Sequence, residues 1–144
     1  MQLSSILLSK GNFVATISPD ASVAELVAAL AKHQIGAMIV SVDGEFIIGI
    51  VSERDIVRAL SDGPSILQQS VAAIMTSTVH VAPPEAHIDE LTQMMTERRI
   101  RHVPVTDEAG RILGIVSIGD IVKTRLGELE TERSALLDYI NRGG

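Results

Sequence analysis

The chain has 144 residues, a formal net charge of −6 and no cysteine, which excludes a disulfide framework, a thiolate nucleophile and a zinc–sulfur centre. Hydrophobic residues make up 46% and aromatic residues only 2%, so the expected core is aliphatic, and the stacking platforms that grip single-stranded nucleic acid are missing. No Lys/Arg stripe invites duplex DNA, no apolar run approaches the roughly 20 residues of a bilayer span, and Met1-Gln2-Leu3-Ser4 lacks the basic start of a signal peptide, so the expectation is a cytoplasmic protein of one domain or two very small ones.

In chain order, a lead-in stretch precedes a short strand over Val14–Ile17, ended by Ser18-Pro19-Asp20. Ser22 opens a helix with Glu25 three residues on, the spacing of a capping box. Val23, Leu26, Val27 and Leu30 fall on one helical face, and Gly36 is expected to stop the helix. Ala37–Val42 reads as a buried strand, Asp43-Gly44 as a hairpin turn and Phe46–Val51 as the return strand. A second helix runs from Ser52 to about Ser61, and Asp62-Gly63-Pro64 punctuates the chain.

The same order then recurs at an offset of 65 residues: Gly49-Ile50-Val51-Ser52 returns as Gly114-Ile115-Val116-Ser117, Pro19 as Pro84, Glu25 as Glu90 and Asp55 as Asp120. Repetition at one register marks a duplicated supersecondary unit. The second copy predicts a strand at Val79–Ala82, a helix carrying Ile88, Leu91 and Met95, a strand over His102–Thr106, a turn over Asp107–Gly110, a return strand over Arg111–Val116 and a helix from Ser117. Its own lead-in, Ser65–Met75, aligns with the N-terminal stretch, Ser5 on Ser70 and Ile6 on Val71. The final helix continues through Val122, Leu126, Leu129, Leu136 and Ile140 at alternating four- and three-residue steps, a short heptad seam interrupted by Arg133. Two readings fit that seam, a helix folded back on its own body or a contact between subunits, and Gly127 is a candidate kink.

The chemistry concentrates where the return strand meets the following helix. Gly49-Ile50-Val51-Ser52-x-x-Asp55 and its copy ending in Ser117-x-x-Asp120 place a hydroxyl at the helix start and a carboxylate one turn on. A helix N-terminus favours an anion, and a carboxylate suits paired sugar hydroxyls. The same Ser-x-x-Asp spacing is also a capping box, and the two uses are compatible. Arg101-His102 replaces Gly36-Ala37 in the second copy, and Arg54 stands where the second copy has Gly119; a guanidinium suits phosphate. Arg98 and Arg99 read as a solvated helix end, His80 as packing, and Met94-Met95 as core. His33, His80, His87 and His102 lack metal-ligand spacing. Asp43, Glu45, Asp107 and Glu108 read as turn acids.

The doubled Gly-apolar-apolar-Ser-x-x-Asp, the β-α-β-β-α order and the Arg101-His102-Val103-Pro104-Val105 stretch resemble a tandem pair of cystathionine-β-synthase (CBS) domains, over about residues 1–126. The resemblance implies an α/β (α+β) fold of two β-α-β-β-α repeats, 1–64 and 65–126, packed about a pseudo-twofold axis, with residues 127–144 as a C-terminal helical extension. It implies two clefts for adenosine-containing ligands and further pairing into a homodimer. Matched to the family pattern, the ribose acid falls on Asp55 and Asp120, its hydroxyl neighbour on Ser52 and Ser117, and the first-strand residue beside adenine on Thr16 and Val81. The base-walling segment falls on Gly36, Ala37 and Met38 and on Arg101, His102, Val103 and Pro104, with a basic residue at the Arg101 or His102 position meeting phosphate. Apart from the family pattern, guanidinium chemistry leaves two readings: one phosphate group held by Arg101 and another by Arg54, or one cleft left weak or empty by the charge missing from the first copy.

The expected role is a regulatory module for AMP, ADP or ATP, with S-adenosylmethionine or NAD less favoured, no required cofactor and no metal, acting on an unidentified protein. The alternative is a ligand-free structural or dimerisation module. An enzyme acting on nucleotides would have only His102 as a base, with no visible group to orient it.

Overall fold

The computed structural model describes residues 1–11 and 13–143. Helix α1 (Leu3–Lys10) precedes β1 (Thr16–Ile17), α2 (Val23–His33), β2 (Ala37–Val40), β3 (Gly49–Ser52) and α3 (Glu53–Leu60). A 3-10 segment (Pro64–Gln68) and the short α4 (Val71–Ile74) lead to α5 (Ile88–Arg98), β4 (His102–Thr106), β5 (Ile112–Ser117) and the long α6 (Ile118–Gly143). In the first sheet β2 lies between a parallel β1 and an antiparallel β3; in the second, β4 and β5 form an antiparallel pair.

The duplication is visible bond by bond. Ile17 pairs with Val40 in parallel, and its counterpart Ala82 bridges Val105 in parallel. The predicted strand Val79–Ala82 shrinks to that bridge. Likewise β1 is two residues long and begins at Thr16, two later than the alternation suggests, and β3 begins at Gly49, because a strand extends only as far as a partner supplies hydrogen bonds. Phe46 bridges Arg111 across the molecule. These two residues occupy equivalent positions of the two copies, as expected where a local twofold axis passes between them.

Two aliphatic cores result, and each copy closes the other's. The first gathers Val23, Leu26, Leu30, Met38, Val40, Val51 and Ile56 together with Ile66 and Val71 of the following segment. The second gathers Ile88, Leu91, Met95, Val103, Val105, Val116 and Ile121 together with Leu3 and Ile6 of α1. Each lead-in therefore packs on the copy that does not follow it in sequence. Backbone bonds fix the arrangement: the Leu3 and Ser4 amides donate to Ala86 and Pro84, as those of Val71 and Ala72 donate to Ala21 and Pro19. This register matches Leu3 with Val71, an offset of 68 residues, and corrects the pairing of Ile6 with Val71.

Both conserved-register glycines are explained by this exchange. A Cβ on Gly49 would stand 2.6 Å from Met75 Sδ, and one on Gly114 would stand 2.4 Å from Leu7 Cδ2. Leu7 and Met75 are related by the same 68-residue offset, so each glycine accommodates the lead-in crossing its strand.

Gly36 does not stop α2. Gln34 does, in the left-handed conformation at φ 54°, and Arg99 ends α5 at the same φ. Six-residue closures from the amides of Ile35 and Ile100 to the carbonyls of Leu30 and Met95 hold both ends. Gly44 (φ 80°) and Gly110 (φ 89°) serve the two hairpin connections.

Helix α6 runs unbroken through Gly127. Arg125 pairs with Asp89 of α5 and with Glu128, which ties its first half to the body. Beyond this the seam is uncovered: Leu126, Leu129, Leu136 and Ile140 are 55–60% exposed, so the fold-back reading does not hold.

Candidate ligand-binding site at the junction of the repeats

The strand-to-helix corners form as complete capping boxes. The Ser52 amide donates to Asp55 Oδ2 at 2.9 Å, and the Asp55 amide donates to Ser52 Oγ at 3.4 Å. In the second copy the Ser117 amide donates to Asp120 Oδ2 at 2.8 Å and the Asp120 amide to Ser117 Oγ at 3.2 Å. The first amide of each helix is also engaged, Glu53 N with the Gly36 carbonyl at 3.0 Å and Ile118 N with the Arg101 carbonyl at 2.8 Å. Two of the first three amides at each helix are thus already used. The helix ends offer an anion less than the sequence suggests, and positive side chains must supply the attraction.

They do so in one place. A cavity of about 550 Å³ opens at the junction of the copies. Gly36 and Ala37 enter from the start of β2, Ser52, Arg54 and Asp55 from the β3–α3 corner, and Arg101 and His102 from the start of β4. Seven of the sequence-derived candidates therefore share one hollow. The Gly36 and Arg101 segments, one from each copy, wall it jointly. Ser117 lies at the other corner, and Asp120 lines a second hollow of about 750 Å³ between α1 and α6. Thr16 is half-buried in β1, Val81 is exposed, and Met38, Val103 and Pro104 are buried in the strands; none of these five lines the first cavity.

Several lining residues were not singled out for binding from the sequence. Arg58 follows Arg54 by one turn of α3; Thr76, Thr78 and His80 come from the segment after α4; Arg98 and Arg99 come from the end of α5. Five guanidinium groups thus border the cavity (Arg54, Arg58, Arg98, Arg99 and Arg101) against the carboxylates of Glu53 and Asp55. In a chain of net charge −6 this local excess focuses a positive field on a concave site. The i, i+4 spacing of Arg54 and Arg58 was available as a signal. The convergence of Arg98 with them was not, because it arrives from the other copy.

His102 sits where the copies meet; a Cβ on Gly36 would be 3.5 Å from its Cε1. Burial is the main influence on its imidazole and holds the pKa below the ordinary 6.5, Glu53 pulls it back up, and Lys10 and Arg101 press it down again. Its side chain is half-buried on the cavity wall.

The second corner carries a lysine that the first lacks. Lys10 Nζ donates to Asp120 Oδ2 at 2.7 Å and to the Ile115 carbonyl at 2.6 Å. Burial works to raise the Asp120 pKa, but the bonds from Lys10 and Ser117 outweigh it and hold the carboxyl below its ordinary 3.8. Among the described residues no cluster of His, Asp and Glu is arranged to hold a metal ion, and no helix is long and apolar enough to cross a membrane.

A duplicated α/β unit closed about a local twofold, with an acid-bearing corner in each copy and a ligand-sized hollow at the seam, defines a paired-repeat module. The chain belongs to the CBS-domain family, whose model matches twice, over residues 11–62 and 71–127. It is similar to the mitochondrial CBS domain-containing protein CBSX3 of Arabidopsis thaliana, 36% identical over 86% of this chain, which spans 62% of that relative's length. Among solved structures it resembles the CBS-domain-containing protein ATU1752 of Agrobacterium tumefaciens, with 42% identity, a TM-score of 0.81, and coverage of 86% of this chain and 98% of that one. It also resembles the CBS domain pair of protein MJ0100 in complex with 5′-methylthioadenosine and S-adenosyl-L-methionine, with 27% identity, a TM-score of 0.77, and coverage of 86% and 98%. CBS domains are regulatory ligand-binding modules.

Proposed function

We propose that this protein is a non-enzymatic sensor that binds an adenine nucleotide in the Asp55 cavity and relays its occupancy to a partner protein. The observation that carries this reading is the cavity itself: about 550 Å³, within the range of small-molecule sites, with a carboxylate on one wall and five arginines around the rim. Among the described residues the capping bonds of Asp55 fall on Oδ2, so Oδ1 is the acceptor for the ribose hydroxyls, and the guanidinium groups take the phosphates. The MJ0100 pair supports the adenosine half of this reading, since both of its ligands contain adenosine. The phosphate half rests on the arginines, which favour AMP, ADP or ATP over S-adenosylmethionine with its cationic sulfonium, and over NAD. A ligand held between two copies shifts their packing only by binding one arrangement more tightly than another, and the shared contacts of Arg54 and His102 across the seam are where that difference would arise.

The exposed seam on α6 favours a homodimer: an apolar stripe repeating at heptad spacing is complementary to a second copy of itself. We place the module in the cytoplasm. The competing reading is a ligand-free dimerisation module in which the Ser/Asp corners only cap helices, and the complete capping boxes are the observation in its favour. Thermal shift of the full chain with AMP, ADP, ATP, S-adenosylmethionine and NAD separates the two. Saturation at 100 times the dissociation constant adds about 2.7 kcal/mol of stability. A melting temperature unmoved by all five supports the competing reading.

A further inference from the structure

The two acid-bearing corners are not equivalent, and the difference originates outside either repeat motif. We propose that Lys10 acts as an internal occupant of the Asp120 corner, so that nucleotide is taken at the Asp55 corner and reaches Asp120 only by displacing the lysine. The proposal rests on the nucleotide-binding reading above and adds to it which corner is open and which residue decides.

The argument begins with α1. Leu3 and Ile6 are fully or almost fully buried in the second core, and Leu7 seats over Gly114. These contacts fix the rotation of the helix. One turn beyond Leu7, Lys10 is delivered to the end of β5, where its ammonium bridges the Ile115 carbonyl and Asp120 Oδ2. In the first copy the equivalents of those two groups belong to Ile50 and Asp55, and both residues line the open cavity. The 68-residue register that matches Leu7 with Met75 matches Lys10 with Thr78, which also lines that cavity. A short neutral hydroxyl side chain in one copy is replaced by a long cation in the other, whose ammonium lies against the corner acid on the same oxygen, Oδ2, that accepts the capping amide.

The surroundings differ in the same sense. At the 65-residue offset, Arg54, Arg98 and Arg99 of the first cavity correspond to Gly119, His33 and Gln34, and only Arg58 keeps a cation, Lys123. The Asp120 corner lacks the guanidinium groups of the first cavity, and an ammonium on Oδ2 compensates its carboxylate charge from within, which leaves Oδ1 a weaker acceptor for a sugar hydroxyl. A ribose that takes the place of the ammonium exchanges an ion pair for bonds from neutral hydroxyl donors, an unfavourable trade. Phosphate could recover it only by drawing the Lys10 ammonium away from Asp120.

Equilibrium dialysis of the full chain with AMP and with ATP tests this. The expected result is one nucleotide per chain for the wild type, lost in Asp55→Asn, and two per chain for Lys10→Met, the second lost again in Lys10→Met/Asp120→Asn. Binding at the second corner should tighten by about tenfold when the charge-assisted bond is removed. Lys10→Arg should stay at one, and Lys10→Gln should follow Lys10→Met, which guards against a folding defect in either variant. A Lys10→Met protein that still binds one nucleotide, sensitive to Asp55→Asn, overturns the role of Lys10 and leaves the proposed function standing. Two equal sites in the wild type do the same. No binding by wild type or any variant overturns both.

Discussion

Arg54 of the first repeat donates from Nη1 to the backbone carbonyl of Arg99 in the second, at 3.3 Å. The bond joins the two copies at the rim of the cavity, and its acceptor is a residue held at φ 54°. A non-glycine residue with positive φ carries strain, so this rim is built at some cost to the fold. The same conformation recurs at Gln34, which is exposed and away from the first cavity. Gln34→Gly should therefore raise stability by about 1 kcal/mol, because glycine removes the Cβ penalty of the left-handed region, without altering nucleotide affinity. Urea unfolding together with a binding isotherm checks both halves.

The arginine rim makes a statement about ligand charge. Arg58→Ala and Arg98→Ala should each weaken ATP binding severalfold and leave adenosine binding nearly unchanged, and the ATP affinity should fall with added salt as screening shortens the reach of exposed charges. Isothermal titration with both ligands at two ionic strengths decides the point. Equal losses for ATP and adenosine would mean that these side chains pack against the base.

His102 gives the fold a pH dependence with a definite sign. Its folded pKa lies below the ordinary 6.5, chiefly through burial, so the unfolded chain binds the proton more readily. Stability is then fully present above pH 6.5 and is lost as pH falls from there toward the folded value. Asp120, also depressed, adds a similar loss only near and below its ordinary 3.8. His102→Gln should flatten the first slope and leave the second. Chemical denaturation at intervals between pH 8 and pH 2 measures both; an unchanged slope in the variant above pH 4 would assign the effect elsewhere.

The crossing points of the lead-ins are tight. Gly49→Ala and Gly114→Ala should each destabilise by about 1–3 kcal/mol, the range for overpacking a well-filled interior. Gly49→Ala should be the worse of the two. Its new methyl meets not only Met75 but the Thr76 carbonyl at 3.1 Å, and that carbonyl accepts the Ile50 amide and cannot swing aside as Leu7 can. Thermal melts of the two variants give the order directly.

The seam on α6 predicts an association. Leu126→Asp/Leu129→Asp should convert a dimer into a monomer in sedimentation velocity and leave the repeat cores intact, since these side chains are 57% and 60% exposed in the single chain. A wild type that sediments as a monomer would remove the homodimer from the proposed function.

How far the sequence alone could see depends on the range of each interaction. The Ser52–Asp55 and Ser117–Asp120 corners, the glycine turns and the buried faces of α2 and α5 are set within four residues of chain, and periodicity reads them directly. The left-handed ends at Gln34 and Arg99 escape because their closing bonds depend on backbone groups and not on a signature residue. The strand at Val79–Ala82 escapes because only Ala82 finds a partner. The lead-ins escape most completely: Leu3, Ile6 and Leu7 look like any short apolar stretch, and nothing local says that they fill the distant second core. The same is true of the cavity, whose residues are legible one at a time while their assembly, with Arg98 facing Arg54, belongs to the packing of the two copies.

The crossed lead-ins bear on how such a protein can arise. A polypeptide carrying a single copy would have its own opening segment but nowhere at home to put it, and an unfilled gap where that segment is needed. Two identical molecules could satisfy each other by mutual donation, so the ancestral unit is most simply an intertwined pair. Joining the genes end to end would then have preserved a pre-existing embrace, and freed each half to drift toward a different task.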